Sequence, residues 1–140
     1  MDRAMDHKPL PRITDDTRAF WEGCAAGELR IQRCGNCDAV QFPPRSRCGG
    51  CGSDRLDWVS VEPRGEVYSF TVVHRAPITS FRPDVPYVVA LVDVAPGARL
   101  MLNVSGCDVA QVHIGMAVRI DFETRDGDGE SIQIPVAKPG

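Results

Sequence analysis

Four cysteines fall in two CxxC pairs, Cys34/Cys37 and Cys48/Cys51, inside the stretch RCGNCDAVQFPPRSRCGGCGS at residues 33–53, with ten residues between the pairs. Two residues between cysteines let one tight turn aim both sulfurs at a single ion, and a tetrahedral site closes on four thiolates at about 2.3 Å. Backbone N–H groups must face the sulfurs to spread their charge. Gly35 and Gly49, each after the first cysteine of its pair, suit such turns, and Gly52 follows the second pair. The spacer suffices for two short strands that bring the turns together. The pattern is that of a zinc ribbon, with Cys34, Cys37, Cys48 and Cys51 holding a structural Zn²⁺. A rubredoxin-type iron site uses the same ligand geometry and stays open as an alternative. A thioredoxin-like redox motif would need one CxxC beside a βαβ pattern, which is absent. Four protein thiolates leave no open position on the metal, so its expected role is folding. Metal binding supplies on the order of 10 kcal/mol to modules of this size.

The other candidate residues are less patterned. Cys24 and Cys107 read as small buried hydrophobes; His113 follows Cys107 by six residues, but nothing in the sequence brings them together. His74 and Arg75 end an expected strand, and a proline-rich segment at 76–86 follows with Phe81 and Arg82. A basic residue beside an aromatic on a loop mounted on a rigid barrel could hold the phosphates or adenine of a nucleotide-like ligand; the same loop could equally be a stiff connection with Phe81 capping the core. Arg30, Arg33, Arg45 and Arg47 make the ribbon locally basic, either balancing the thiolate charge or binding phosphate. Phe20 and Trp21 read either as core or as an exposed patch for a partner.

These residues need a scaffold. The 140-residue chain is 43% hydrophobic, enough for a packed core, and its eleven prolines and thirteen glycines favour turns and short strands over long helices. Its formal charge of −3 lacks the basic surplus of a sequence-independent nucleic-acid binder. No apolar run is long enough to cross a bilayer, and the polar, proline-containing first residues lack a signal-peptide core, so a cytoplasmic location is expected. There thiols stay reduced, which favours metal over disulfides.

Residues 1–13 read as a lead-in. Residues 14–28 read as a helix, with Thr14 or Asp15 as its cap, Gly27 just past its last turn, and Phe20 and Cys24 on one face. Strands are expected at 28–33 and 55–63 around the cysteines, then at 65–75, 87–95, 99–106, 116–125 and 130–137, with a hairpin turn at 127–129 and a short helical or turn connection at 108–115. The strand at 87–95 is apolar enough to be buried on both faces. Five strands after the ribbon match an OB-fold barrel, though other small five-stranded barrels fit the count. The expected division is a helical segment at 1–27, a zinc ribbon at 28–62 and a mainly β, five-stranded OB-fold barrel at 63–140.

The succession FWEG, GELRIQRCGNC, QFPPR, CGGCGS, WVSVEPRGEVYSFTVVHR, VPYVVALVDV and IGMAV resembles the acyl-CoA-associated OB-fold proteins with an N-terminal rubredoxin-like zinc ribbon, long known as a domain of unknown function. The resemblance runs from about residue 14 to 136; the C-terminal SIQIPVAKPG departs from the PVFRP-like ending of many members. It implies a helix, ribbon and barrel in that order, and association with thiolase-superfamily enzymes. Members accompany acetoacetyl-CoA thiolase and hydroxymethylglutaryl-CoA synthase, lipid-transfer-protein-like thiolases that cleave steroid side-chain CoA esters by retro-aldol chemistry, or acyltransferases of phenolic compounds. The catalytic residues lie in the thiolase-like subunit.

Three functions follow as expectations. The first is a non-catalytic accessory subunit of a thiolase-like enzyme acting on acyl-CoA, preferably a steroid side-chain aldolase, with Phe20 and Trp21 towards the partner. This chain shows no nucleophile with a recognisable base. The second is a free-standing acyl-CoA binding or carrier module using His74, Arg75, Phe81 and Arg82. The third, a nucleic-acid module, is disfavoured because acids outnumber bases over residues 59–140.

Overall fold

The computed structural model describes residues 8–127 and 129–140. Residues 1–7 of the expected lead-in, and Asp128 of the expected turn at 127–129, lie outside the described residues. One helix, α1 (Arg18–Ala25), precedes a three-stranded antiparallel sheet of β1 (Leu29–Cys34), β2 (Val40–Gln41) and β3 (Leu56–Val61), ordered β2-β1-β3. The barrel follows: β4 (Arg64–Val73), β5 (Tyr87–Ala95), β6 (Ala98–Val104), β7 (Ala117–Asp126) and β8 (Ser131–Pro139). They close in the order β4-β5-β6-β8-β7, and β7 returns to β4. All pairings are antiparallel except β6 with β8, parallel at Val104 and Ala137. This is a closed five-stranded barrel of OB type.

The helix is shorter than the expected 14–28 because residues 14–17 spend their polar groups on themselves. Thr17 N–H donates to Thr14 O at 3.1 Å, Thr14 N–H donates to Thr17 Oγ1 at 3.0 Å, and Arg18 pairs with Asp15 at 2.6 Å. The turn closes before the helix begins and leaves no acid in its first turn. The C-terminus is as expected. Gly27, at φ 75°, donates to Cys24 O at 3.1 Å and Glu28 donates to Gly23 O at 2.7 Å, the paired bonds of a Schellman ending.

Phe20, Cys24 and Leu29 belong to the same buried cluster as Val67, Val88, Ala90, Val92, Leu100, Leu102, Val118 and Ile120 of the barrel. The helix and first ribbon strand therefore share the barrel's core. The expectation that β5 is buried on both faces needs correction. Val88, Ala90 and Val92 are buried, whereas Tyr87, Val89 and Leu91 are half-buried. The barrel encloses one face of the strand, and the other is only partly covered from outside. The 108–115 connection is a single 3-10 turn at Val109–Gln111, closed by reciprocal bonds between Asp108 and Gln111.

The ribbon also docks on the barrel through its linker. Phe42 N–H donates to Gly97 O at 3.2 Å, and Arg99 N–H donates to Phe42 O at 3.3 Å. Gly97 sits in the β5–β6 turn at φ 85°, and a Cβ there would lie 2.7 Å from Val40 O. Both the left-handed conformation and the backbone approach exclude a side chain. Gly97→Ala should cost about 1–3 kcal/mol, read as a lowered midpoint in denaturant unfolding followed by circular dichroism.

Candidate metal centre and the groove beside it

The ends of three segments bring four sulfurs together. Cys34 is the last residue of β1, Cys37 closes the turn after it, and Cys48 and Cys51 form a second turn before β3. The four Sγ atoms lie within 4.8 Å of one another. Cys34 and Cys51 are 3.6 Å apart, as are Cys37 and Cys48. A tetrahedron with metal–sulfur bonds of about 2.3 Å has edges of about 3.8 Å, so the donor set has the size of a tetrahedral thiolate site.

The two turns repeat one design. Cys34 N–H donates to Ala39 O and Cys48 N–H to Ser53 O, both at 2.8 Å. Asp38 N–H donates to Cys34 O at 3.0 Å, and Gly52 N–H to Cys48 O at 2.9 Å. The left-handed residue is the one after the second cysteine, Asp38 at φ 64° and Gly52 at φ 77°. Gly52 therefore has the conformational duty. Gly35 and Gly49 instead donate to Arg55 O at 2.7 Å and to Gln41 Oε1 at 2.9 Å. The N–H groups of Asn36 and Cys37 approach Cys34 Sγ at 3.3 and 3.4 Å, and that of Gly50 approaches Cys48 Sγ at 3.3 Å.

These donors set the thiol acidities. The N–H groups of Cys51 and Gly50 hold the Cys48 thiol below its ordinary range. The Asn36 side-chain amide, with Ser53 N–H, brings Cys51 down to about 6. Cys37 is pulled down by the Ala39 N–H, but the surrounding Cys48 and Cys51 sulfurs overcome that and push it up to about 12. At neutral pH the Cys37 thiol therefore keeps its proton unless a cation sits among the sulfurs. Metal uptake at neutral pH should therefore release the Cys37 proton. Affinity should fall with pH, and below about pH 6 the Cys51 thiolate is protonated as well. A chromogenic chelator added along a pH series checks this as metal release that grows towards acid.

Sequence reasoning missed the residue that orders the second turn. Gln32 is buried on β1 with 6% of its surface exposed. Its Oε1 accepts from Arg45 N–H at 2.9 Å and from Gln41 Nε2 at 2.8 Å, while its Nε2 donates to Arg45 O at 3.0 Å. Gln41 Oε1 in turn accepts from Gly49 N–H. A glutamine beside Ile31 in an alternating strand reads as surface, and no local signal shows that the linker folds over it. Gln32→Ala should destabilise the protein by about 1–3 kcal/mol in chemical unfolding, because the Arg45 N–H is left unpaired.

Three of the four ribbon arginines are tied locally. Arg30 pairs with Glu28 at 2.8 Å, Arg33 with Asp38 at 3.1 Å, and Arg47 donates to Gly52 O at 3.1 Å. Phe20 is in the core, 4% exposed, edge-on to Trp21 and 4.8 Å from the Phe42 ring centroid. Trp21 is half-buried and lines a groove beside the ribbon. Cys24 is buried, which pushes its thiol up to about 12, and Cys107 is half-buried against the core. His113 bonds the Gln111 carbonyl at 3.0 Å. His74, Arg75 and Arg82 are exposed, and Arg82 Nε turns back to Ala76 O at 3.5 Å. Phe81 packs 5.8 Å from Tyr87, with Lys8 and Arg125 over its ring at 5.2 and 5.7 Å. The structure thus joins Phe81 to Arg125, which the sequence reading passed over as one polar residue of an alternating strand. Among the described residues, no helix is long and apolar enough to cross a membrane.

Paired cysteine turns on a three-stranded sheet, docked on a closed OB-type barrel, define a rubredoxin-like ribbon joined to an OB fold. Residues 21–57 match the ChsH2 rubredoxin-like zinc ribbon domain, and residues 58–123 match the ChsH2 C-terminal OB-fold domain. A "DUF35 domain-containing scaffold protein" of Methanocaldococcus jannaschii is 35% identical over 99 residues, 70% of each chain. In a solved "Ltp2-ChsH2(DUF35) aldolase" one chain is 36% identical with a TM-score of 0.81, over 93% of this chain and 98% of that one. The protein belongs to the DUF35 family, with the ribbon and barrel of the ChsH2 type. It is also 42% identical, over 80% of its length, to the "3-oxo-4,17-pregnadiene-20-carboxyl-CoA hydratase alpha subunit" of Mycobacterium tuberculosis. The chain spans only 36% of that subunit, and 40% of a related hydratase alpha subunit from Thermomonospora curvata.

Proposed function

We propose that this protein is a non-catalytic accessory subunit of a thiolase-superfamily enzyme acting on acyl-CoA, with a lipid-transfer-protein-like thiolase that cleaves steroid side-chain CoA esters by retro-aldol reaction as its partner. The observation that carries the reading is the fit to one chain of the Ltp2-ChsH2(DUF35) aldolase, which spans nearly all of both chains, beside the match to both ChsH2 domain models. The pregnadiene-carboxyl-CoA name of the mycobacterial relative supports the substrate class. A bridging role in a larger assembly is the second reading, favoured by the archaeal relatives named as scaffold proteins.

In this reading Cys34, Cys37, Cys48 and Cys51 hold a structural Zn²⁺. An all-sulfur set of tetrahedral size and the family's zinc ribbon support zinc. The ion supplies folding energy to the ribbon, and the chain's own residues orient the sulfurs and dock the ribbon on the barrel. His74, Arg75 and Arg82, exposed on the loop after β4, are the proposed contacts for the polar part of a CoA ester, with half-buried Phe81 of the same loop. Trp21 is the proposed partner-facing member of the aromatic pair, since Phe20 is held inside.

Affinity purification of the tagged protein from its own lysate, with mass spectrometry, should recover a thiolase-like protein in near-equal amount. Recovery of the protein alone would overturn the accessory reading in favour of a carrier. Elemental analysis of the purified protein should find about one zinc per chain and no iron colour.

A further inference from the structure

The outer face of β5 and β6 carries a groove of about 650 Å³. Its volume falls within the roughly 300–1,000 Å³ of small-molecule sites. OB folds take ligands on this same pair of barrel strands and the loops at its edge. Here the face is walled. Trp21 of α1 stands on one side, Phe42 and Pro43 of the ribbon linker on another, and the lead-in around Leu10 crosses it. Leu91 and Met101 form part of the barrel surface beneath. The partial cover that leaves Leu91 half-buried is this wall.

The charge of the lining is one-sided. Among the described residues its ionisable side chains are Arg99 and Arg125, and no acid lines it. Arg99 is already neutralised, bonding Asp93 at 2.6 and 3.3 Å and stacking 3.5 Å over the Tyr68 ring. Arg125 is not. It is half-buried, and among the described residues its guanidinium makes no hydrogen bond or ion pair. Asp84 and Glu123 act on it only through space, and Asp84 is itself paired with Lys8. A half-buried guanidinium with unused donors, at an apolar groove without acids, is complementary to an anion attached to an apolar body.

We propose that this groove binds a carboxylate amphiphile, its apolar body on Leu91, Met101, Trp21 and Phe42 and its carboxylate on Arg125. The site lies within one chain and does not rest on the partner reading. The planar guanidinium fork favours a carboxylate, which it can grip with two parallel bonds.

Decanoate and its uncharged analogue decanol, titrated separately into the metal-loaded full chain by calorimetry, test the site. Decanoate should bind saturably at one per chain. Arg125→Gln should weaken decanoate about tenfold and leave decanol unchanged. Met101→Glu, at a side chain 71% exposed and so outside the core, should also weaken decanoate by placing an acid in the groove. Circular dichroism of both variants keeps a folding defect apart from a binding defect. No saturable decanoate binding, or Arg125→Gln binding it as the native protein does, would overturn the proposal. Partner recovery with the Arg125→Gln chain is a separate readout, so the groove can fail while the accessory reading stands.

Discussion

Four sulfurs within 4.8 Å of one another are a constraint the rest of the N-terminal half must satisfy. Four thiolates at that distance repel, and four thiols gain little from being together, so the cluster is stable only as ligands of one cation. The three-stranded sheet has few buried side chains of its own beyond Leu29, Ile31 and Gln32. The geometry at its tip therefore comes from the cysteine turns, and the backbone bonds of those turns are duplicated in kind and length. From the tip the constraint runs inward along a single strand. β1 ends in Cys34 and begins in Leu29, which is already in the barrel core.

This is why the boundary between ribbon and barrel is a matter of chain order more than of packing. α1 sits on β1 and β8, and its Phe20 and Cys24 join the core that the barrel strands enclose. The linker between the turns pairs with the start of β6, at Phe42 and Ala98.

What was legible in the sequence follows from what is local. CxxC spacing marks the donor set because two intervening residues suffice to make the turn. Strand alternation gave β4 to β8 to within a few residues because a closed barrel buries one side of each strand. What was hidden depends on distant segments. β2 exists only as a pairing with Gln32 and Arg33, Gln32 is buried only because the linker crosses it, and the left-handed turn position falls on Asp38 as well as on a glycine. Thr14 was a sound capping candidate, but its partner Thr17 closes a separate turn first. Arg125 looks like any outward residue of an alternating strand, and its surroundings come from the 79–84 turn and the lead-in.

The outer barrel face shows how one irregularity spreads. The register shifts between Val67 and Ser69, so Tyr68 is the extra residue of a bulge in β4 and turns outward, 51% exposed. Arg99 can then lie flat on its ring while holding Asp93, which removes one guanidinium from the groove's charge and leaves Arg125 as the remaining cation among the described lining residues. At the opposite wall stand Phe42 and Pro43, positioned by the linker that Gln32 and Gln41 fasten to the second cysteine turn. The groove is therefore bounded on one side by a feature of the barrel alone and on the other by the ribbon that carries the cysteine turns. Its width is set by how the two halves dock. Ordering the cysteines thus does more than hold the ribbon together: it fixes a wall that the barrel strands could not supply.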